Sequence, residues 1–256
     1  MDASTIALGA FAGLVASGFA LVTADRWHRR RLTHHGAWTI AMLLFSIGSF
    51  ALWWAASTGW SSGVFRVFFT AGAVLNVSWL ALGSIALLAG DRIAIPLARV
   101  IALLSAFAIG VMAVAPEKRS FVETEFPQAR DHFGALPRIL AAVGSGVPAL
   151  IIFAGAVWSI VRLLAGRSPA RHESRKGLTI PTKRLVLSNV LIAVGTLVLS
   201  ASGSLAGRLG EEQAFAVTLS VGVVILFVGF MAPSVRSSSA SSAQGSAQHL
   251  AGSTGR

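Results

Sequence analysis

The chain has 256 residues and a net charge of +11, yet only 12% of its residues are charged and 54% are hydrophobic. Soluble domains carry about 25% charged residues, so composition excludes a water-soluble globule, and a mean hydropathy of +0.72 agrees. The absence of Cys and Tyr excludes disulfides, thiolate chemistry, sulfur-ligated metals and tyrosyl radicals.

Seven apolar stretches follow one another, at about 4–24, 38–57, 65–90, 93–115, 139–165, 185–207 and 213–232. About 20 apolar residues cross the hydrocarbon core as a helix. The expected fold is therefore all-α, a polytopic bundle of seven transmembrane helices forming one domain over 1–232. The first stretch lacks a basic start and is followed by Arg26, Arg29, Arg30 and Arg31. That pattern predicts a retained span with the N-terminus outside. Counting loops on this basis puts 15 basic residues inside and 6 outside, while acids run three inside and seven outside. The expectation is N-out and C-in. Arg far outnumbers Lys, a bias of GC-rich bacterial coding, so the expected location is a bacterial inner membrane. Because the charges sit in short loops, topology explains them and nucleic acid is not expected as a partner.

Two segments fall outside the spans. Residues 116–138 form the sizeable outer loop, mixing acids, bases and Phe. Glu123, Glu125, Asp131 and His132 there offer at most a weak cation site, and a solvated loop is the expected reading. Residues 233–256 are rich in Ser, Ala, Gly and Gln, too poor in apolar surface to offset ordering entropy, which predicts a disordered cytoplasmic tail.

Mid-membrane charges are costly and mark function, and the middle of every span is free of Asp, Glu, Lys and His. All six His are read into loops or the tail. Arg66, Arg99 and Arg162 sit near span ends, where snorkelling is expected. The final span, from Ala214 to Met231, has no Schiff-base lysine. No haem-type His, HExxH motif or paired intramembrane Asp occurs either. No catalytic set, metal site or cofactor is expected.

Neutral polar residues remain. Asn76 and Ser78 lie in the third span; Asn189, Thr196 and Ser200 lie in the sixth. An Asn facing lipid must find a partner, so these residues are expected to face the interior. There they either bridge helices, at about 0.6 kcal/mol and at most 1–2, or line a polar cavity. Asn76, Ser78, Asn189 and Ser200 are the candidate cavity residues. Gly9 and Gly13, spaced four apart, predict close helix packing. Pro148 predicts a kink in the fifth span. Trp38, Trp53, Trp54, Trp60 and Trp158 read as interfacial anchors. Arg29, Arg30, Arg31, Arg175 and Lys176 are candidate contacts for anionic lipid headgroups at about 1 kcal/mol per charge, although the positive-inside rule also accounts for them.

The third-span pattern GAVLNVSWLALGSIALLAG and the stretch RLVLSNVLIAVGTLVLSASGSLAGRLGEEQAFAVTLSVGVVILFVGFMAP resemble a group of uncharacterised seven-helix integral membrane proteins of actinobacteria and related bacteria. The resemblance implies a seven-helix membrane protein and brings no activity or site residues with it. Two function classes stay open. One is a non-enzymatic membrane component: a sensor, a scaffold or a partner subunit with a protein partner. The other is a small-molecule or lipid transporter with a neutral cavity between helices.

Overall fold

The computed structural model describes residues 3–165, 187, 190–199 and 212–231. Regular structure among them is helical. Helix α1 spans Ala3–Arg30 and α2 spans Thr33–Thr58. The next helix is composite: α3 (Ser62–Phe68), a π-helical segment π1 (Phe69–Leu75) and α4 (Asn76–Ala89). Helix α5 spans Asp91–Val114. After a loop holding the short α6 (Ala129–His132) comes a second composite helix: α7 (Ala135–Ala141), π2 (Ala142–Gly146) and α8 (Val147–Leu164). Helices α9 (Val190–Leu199) and α10 (Glu212–Met231) complete the described chain.

Five of these helices are long and apolar enough to cross a membrane: Ala3–Arg30, Thr33–Thr58, Ser62–Ala89, Asp91–Val114 and Ala135–Arg162. They are the make-up of a membrane helical bundle. Large apolar side chains point outward all along α5, from Ile93 through Leu103 and Phe107 to Val114, as lipid-facing surfaces require.

The helices alternate in direction, so the bundle has two ends. One end, the basic end, gathers Arg29, Arg30 and Arg31 with the starts of α2 and α5. The other, the loop end, gathers the start of α1, the α2–α3 turn and residues 115–134. Gly59 makes the α2–α3 turn at φ 98°, a conformation only Gly adopts freely. It lets the Trp60 N–H donate to the Glu123 carbonyl at 3.0 Å, which fixes the loop against the helix ends.

Helices α1 and α2 run further than the apolar stretches indicate. Helix propensity does not end where hydrophobicity does, and the polar last turns extend toward water. Helix α2 starts at Thr33, so His34 and His35 lie in its first turn rather than in a loop. His35 is buried and its Nδ1 has no partner.

The two largest core clusters among the described residues lie at opposite ends of the bundle. At the basic end Phe19, Trp38, Met42, Leu80, Ile152 and Leu226 pack together. At the loop end Leu52, Trp60, Phe65, Met112, Phe133 and Phe215 do so. Between them, Val74 and Leu75 of π1 meet Ala108, Leu140 and Ala141. Trp38 and Trp60 are thus core residues, correcting the interfacial reading, whereas Trp54 and Trp158 are exposed.

Candidate functional site

The two π-helical segments lie side by side, and the polar residues singled out in the third span sit at this seam. Pro148 has no N–H, so the Gly144 carbonyl four residues earlier lacks its α-helical donor. The Ser78 hydroxyl donates to that carbonyl at 2.8 Å. The contact is close because Gly144 has no side chain: a Cβ there would sit 2.4 Å from the Val74 carbonyl oxygen. A π turn, π2, ends two residues before Pro148, where the kink is expected.

Asn76 ends π1 and begins α4. Its side chain is 5% exposed, and its Oδ1 has no hydrogen-bond partner. A buried acceptor left unmet costs about 1–3 kcal/mol, so this amide is held at some expense. Next to it, Trp79 Nε1 donates to Ser105 Oγ at 3.2 Å, tying α4 to α5. Asn76 and Ser78 therefore do face the interior; Ser78 bridges helices, and Asn76 keeps an open acceptor.

The other half of the expected cavity, Asn189 and Ser200, lies outside the described residues, as do Arg175 and Lys176. Between Asn189 and Ser200, α9 packs on α10 through glycines. A Cβ on Gly222 would meet Leu199, and one on Gly195 would meet Leu226. Thr196 in α9 donates to its own helix at Ile192.

Further interior hydroxyls do the same bridging work, and the sequence reading passed over them. Ser17 and Ser46 both donate to the Gly13 carbonyl, at 2.8 and 3.2 Å, joining α1 to α2. Thr39 donates to Thr23 at 3.1 Å, and Ser220 of α10 reaches the Leu8 carbonyl of α1 at 3.2 Å. The signal that would have found the first pair is the small residue Gly13, whose carbonyl is left reachable. Gly9 and Gly13 serve packing within the bundle, where added Cβ atoms would meet the Trp53 backbone and the Phe50 ring.

At the loop end the structure corrects one reading and adds to another. Arg66 does not snorkel. Its side chain, 19% exposed, donates to the carbonyls of Met112 and Ala115 and pairs with Glu117 at 3.0 Å. It thereby caps the C-terminus of α5, where carbonyls lack partners and cations are favoured. Its guanidinium also lies over the Phe133 ring, 5.3 Å from the centroid. The loop keeps Lys118, Arg119, Glu123, Glu125, Arg130 and Asp131 exposed, as expected, but its aromatic residues fold inward. Phe121, Phe126 and Phe133 pack on Trp60, Phe65, Phe68 and Phe69, and His132 is buried with its ring stacked on Phe121 at 4.0 Å. The alternation of Phe with charge in 121–133 was the signal for this cap. Glu117 accepts from Ser62 and from Arg66, and these two bonds, the Ser62 one first, hold its carboxyl below the usual carboxylate range. A cleft of about 100 Å³ opens on the cap beside Arg119, Glu125, Gln128 and Asp131. No group of three His, Cys, Asp or Glu residues able to hold a metal ion occurs among the described residues.

At the basic end Arg29, Arg30 and Arg31 are all exposed. Arg29 pairs with Asp25 at 2.8 Å, and Arg31 lies over Trp27. Arg162 lies over Trp158 in the same way, 5.8 Å from the centroid.

No family model matches the chain, and no curated protein and no solved structure matches it either. The class rests on the fold: an all-helical, membrane-type bundle whose described interior hydroxyls bridge helices along its length and whose buried amide, Asn76, lies where two π segments meet.

Proposed function

We propose that this protein is a seven-helix integral membrane component without a catalytic task of its own, acting as a sensor, scaffold or partner subunit. The observation that carries the reading is the Ser78–Gly144 bond. The polar group best placed to line a cavity is spent on holding two helices together, and Ser46, Thr39 and Ser220 behave alike. Helices α9 and α10, packed against each other through glycines, support two further crossings beyond the five long helices. The loop charge asymmetry supports N-out and C-in in a bacterial inner membrane. The resemblance to seven-helix actinobacterial membrane proteins agrees with this layout. Exposed Arg29, Arg30 and Arg31 supply contacts for anionic headgroups, and the ordered aromatic cap offers a protein partner a fixed surface.

The test is gentle extraction into nanodiscs followed by native mass spectrometry. A protein partner retained at defined stoichiometry is the expected result. A lone chain, together with an Asn76→Leu variant that leaves the cell phenotype unchanged, would count against both the partner and the site.

The second reading is a transporter of a small neutral molecule or lipid. The observation favouring it is the unpartnered Asn76 Oδ1, an acceptor that a passing hydrogen-bond donor would satisfy. It requires flux into proteoliposomes that Asn76→Leu abolishes.

A further inference from the structure

We propose that π1 and π2 together form a hinge across the middle of the bundle, about which the loop-end halves of the two composite helices (α3 and α7) turn relative to α4 and α8, with the Arg66–Glu117 pair as the latch that holds the observed position.

Three independent features lead there. First, the two largest core clusters lie on either side of this level. Phe65 of α3 belongs with Phe133 and Trp60 at the loop end, whereas Leu80 of α4 and Ile152 of α8 belong with Trp38 and Met42 at the basic end. The first composite helix therefore has one half in each core, with π1 between them, whereas in the second α8 joins the basic-end core and Leu140 and Ala141 of α7 pack on π1 itself. Second, a π turn holds one residue more than an α turn and is often a functional irregularity. Resolving or moving it by one residue turns the adjoining half-helix by roughly 100° about its axis, the angle of one residue at 3.6 per turn. Third, the contact between the two segments suits a pivot. At Gly144 backbone meets backbone, with no side chain between π2 and the Val74 carbonyl. Beside it the unmet Asn76 Oδ1 raises the observed state relative to any arrangement that satisfies it.

The latch sits on the moving half. Arg66 lies in α3, and its partners Met112, Ala115 and Glu117 lie at the end of α5 and in the loop. Helices α2 and α5, α-helical throughout, are the fixed rails. Any event at the aromatic cap that loosens Arg66 is thereby felt at Asn76, mid-bundle. The hinge goes beyond the proposed function and serves a sensor or a transporter alike.

The absence of Cys makes the test direct: paired spin labels and electron–electron distance measurements in nanodiscs. A loop-end pair, Val67→Cys with Trp54→Cys, spans α3 and α2; a basic-end pair, Ile40→Cys with Leu87→Cys, spans α2 and α4. All four positions are exposed. The loop-end pair should give two distance populations whose ratio shifts about threefold in Glu117→Gln, as loss of a surface ion pair allows. Ser62→Ala, which removes the other bond to Glu117, should shift it the same way. The basic-end pair should give one distance throughout. A single loop-end distance unmoved by either variant overturns the hinge, as does a basic-end distance that moves with it. Two populations that ignore both variants overturn the latch.

Discussion

The hydroxyl of Ser78 stands in for the N–H that Pro148 lacks: it lies 2.8 Å from the Gly144 carbonyl, the acceptor left without its helical donor. Two residues on different helices thus complete one helical turn. Replacing Ser78 by Ala should cost about 0.6–1.7 kcal/mol, the span measured for interhelical hydrogen bonds in membranes. Pro148→Ala restores a backbone donor to the same carbonyl, so Ser78→Ala should cost less in that background. A double-mutant cycle on unfolding in detergent reads the difference; additive costs would refute the substitution of one donor for the other.

Gly144 and Gly146 are two residues apart in the same π turn and should respond differently. A Cβ at Gly144 meets the Val74 carbonyl oxygen, whereas one at Gly146 meets nothing within 4 Å. Gly144→Ala should destabilise by about 1–3 kcal/mol, the ordinary cost of overpacking. Gly146→Ala should be neutral. Thermal melts of the two purified variants make the comparison.

Asn76→Leu removes a buried acceptor with no partner and keeps the same number and branching of side-chain heavy atoms. It should leave stability unchanged or raise it, by up to about 1–3 kcal/mol. A clear loss of stability in the unfolding curve would mean that Oδ1 is satisfied in the membrane.

The Glu117 carboxyl is held below its usual range by Ser62 and Arg66. Unfolded, it titrates at the ordinary carboxylate value, so its contribution is complete above that value. The contribution is lost as pH falls through the lower, folded one. The melting temperatures of the native chain and Glu117→Gln should differ at neutral pH and converge in acid. A gap that persists below the carboxylate range would assign the effect to another group.

Much of the architecture was legible in the residues, because bilayer thickness imposes a length and charge cost imposes loop positions. The seam was half legible. Asn76, Ser78 and Pro148 each stood out as a polar or helix-breaking residue in an apolar run. That Pro148 and Ser78 answer each other was not visible, because the partner is a backbone carbonyl and every residue has one. The π segments left no composition signal of their own. Arg66 was misread for a related reason: a charge near a span end fits snorkelling, and only the chain's return through Met112 to Glu117 shows what it caps. His34 and His35 were misplaced because apolar length underestimates a helix whose first turn is polar.

The central claim, a seven-span bundle with its N-terminus outside, is tested most directly by single-cysteine labelling of intact cells in this Cys-free chain. Ser61→Cys and Ser120→Cys should react with a membrane-impermeant maleimide from outside. Ser168→Cys and Ser242→Cys should react only after permeabilisation. Labelling of Ser242→Cys from outside would contradict the odd number of spans, and protection of Ser61→Cys and Ser120→Cys would contradict the orientation.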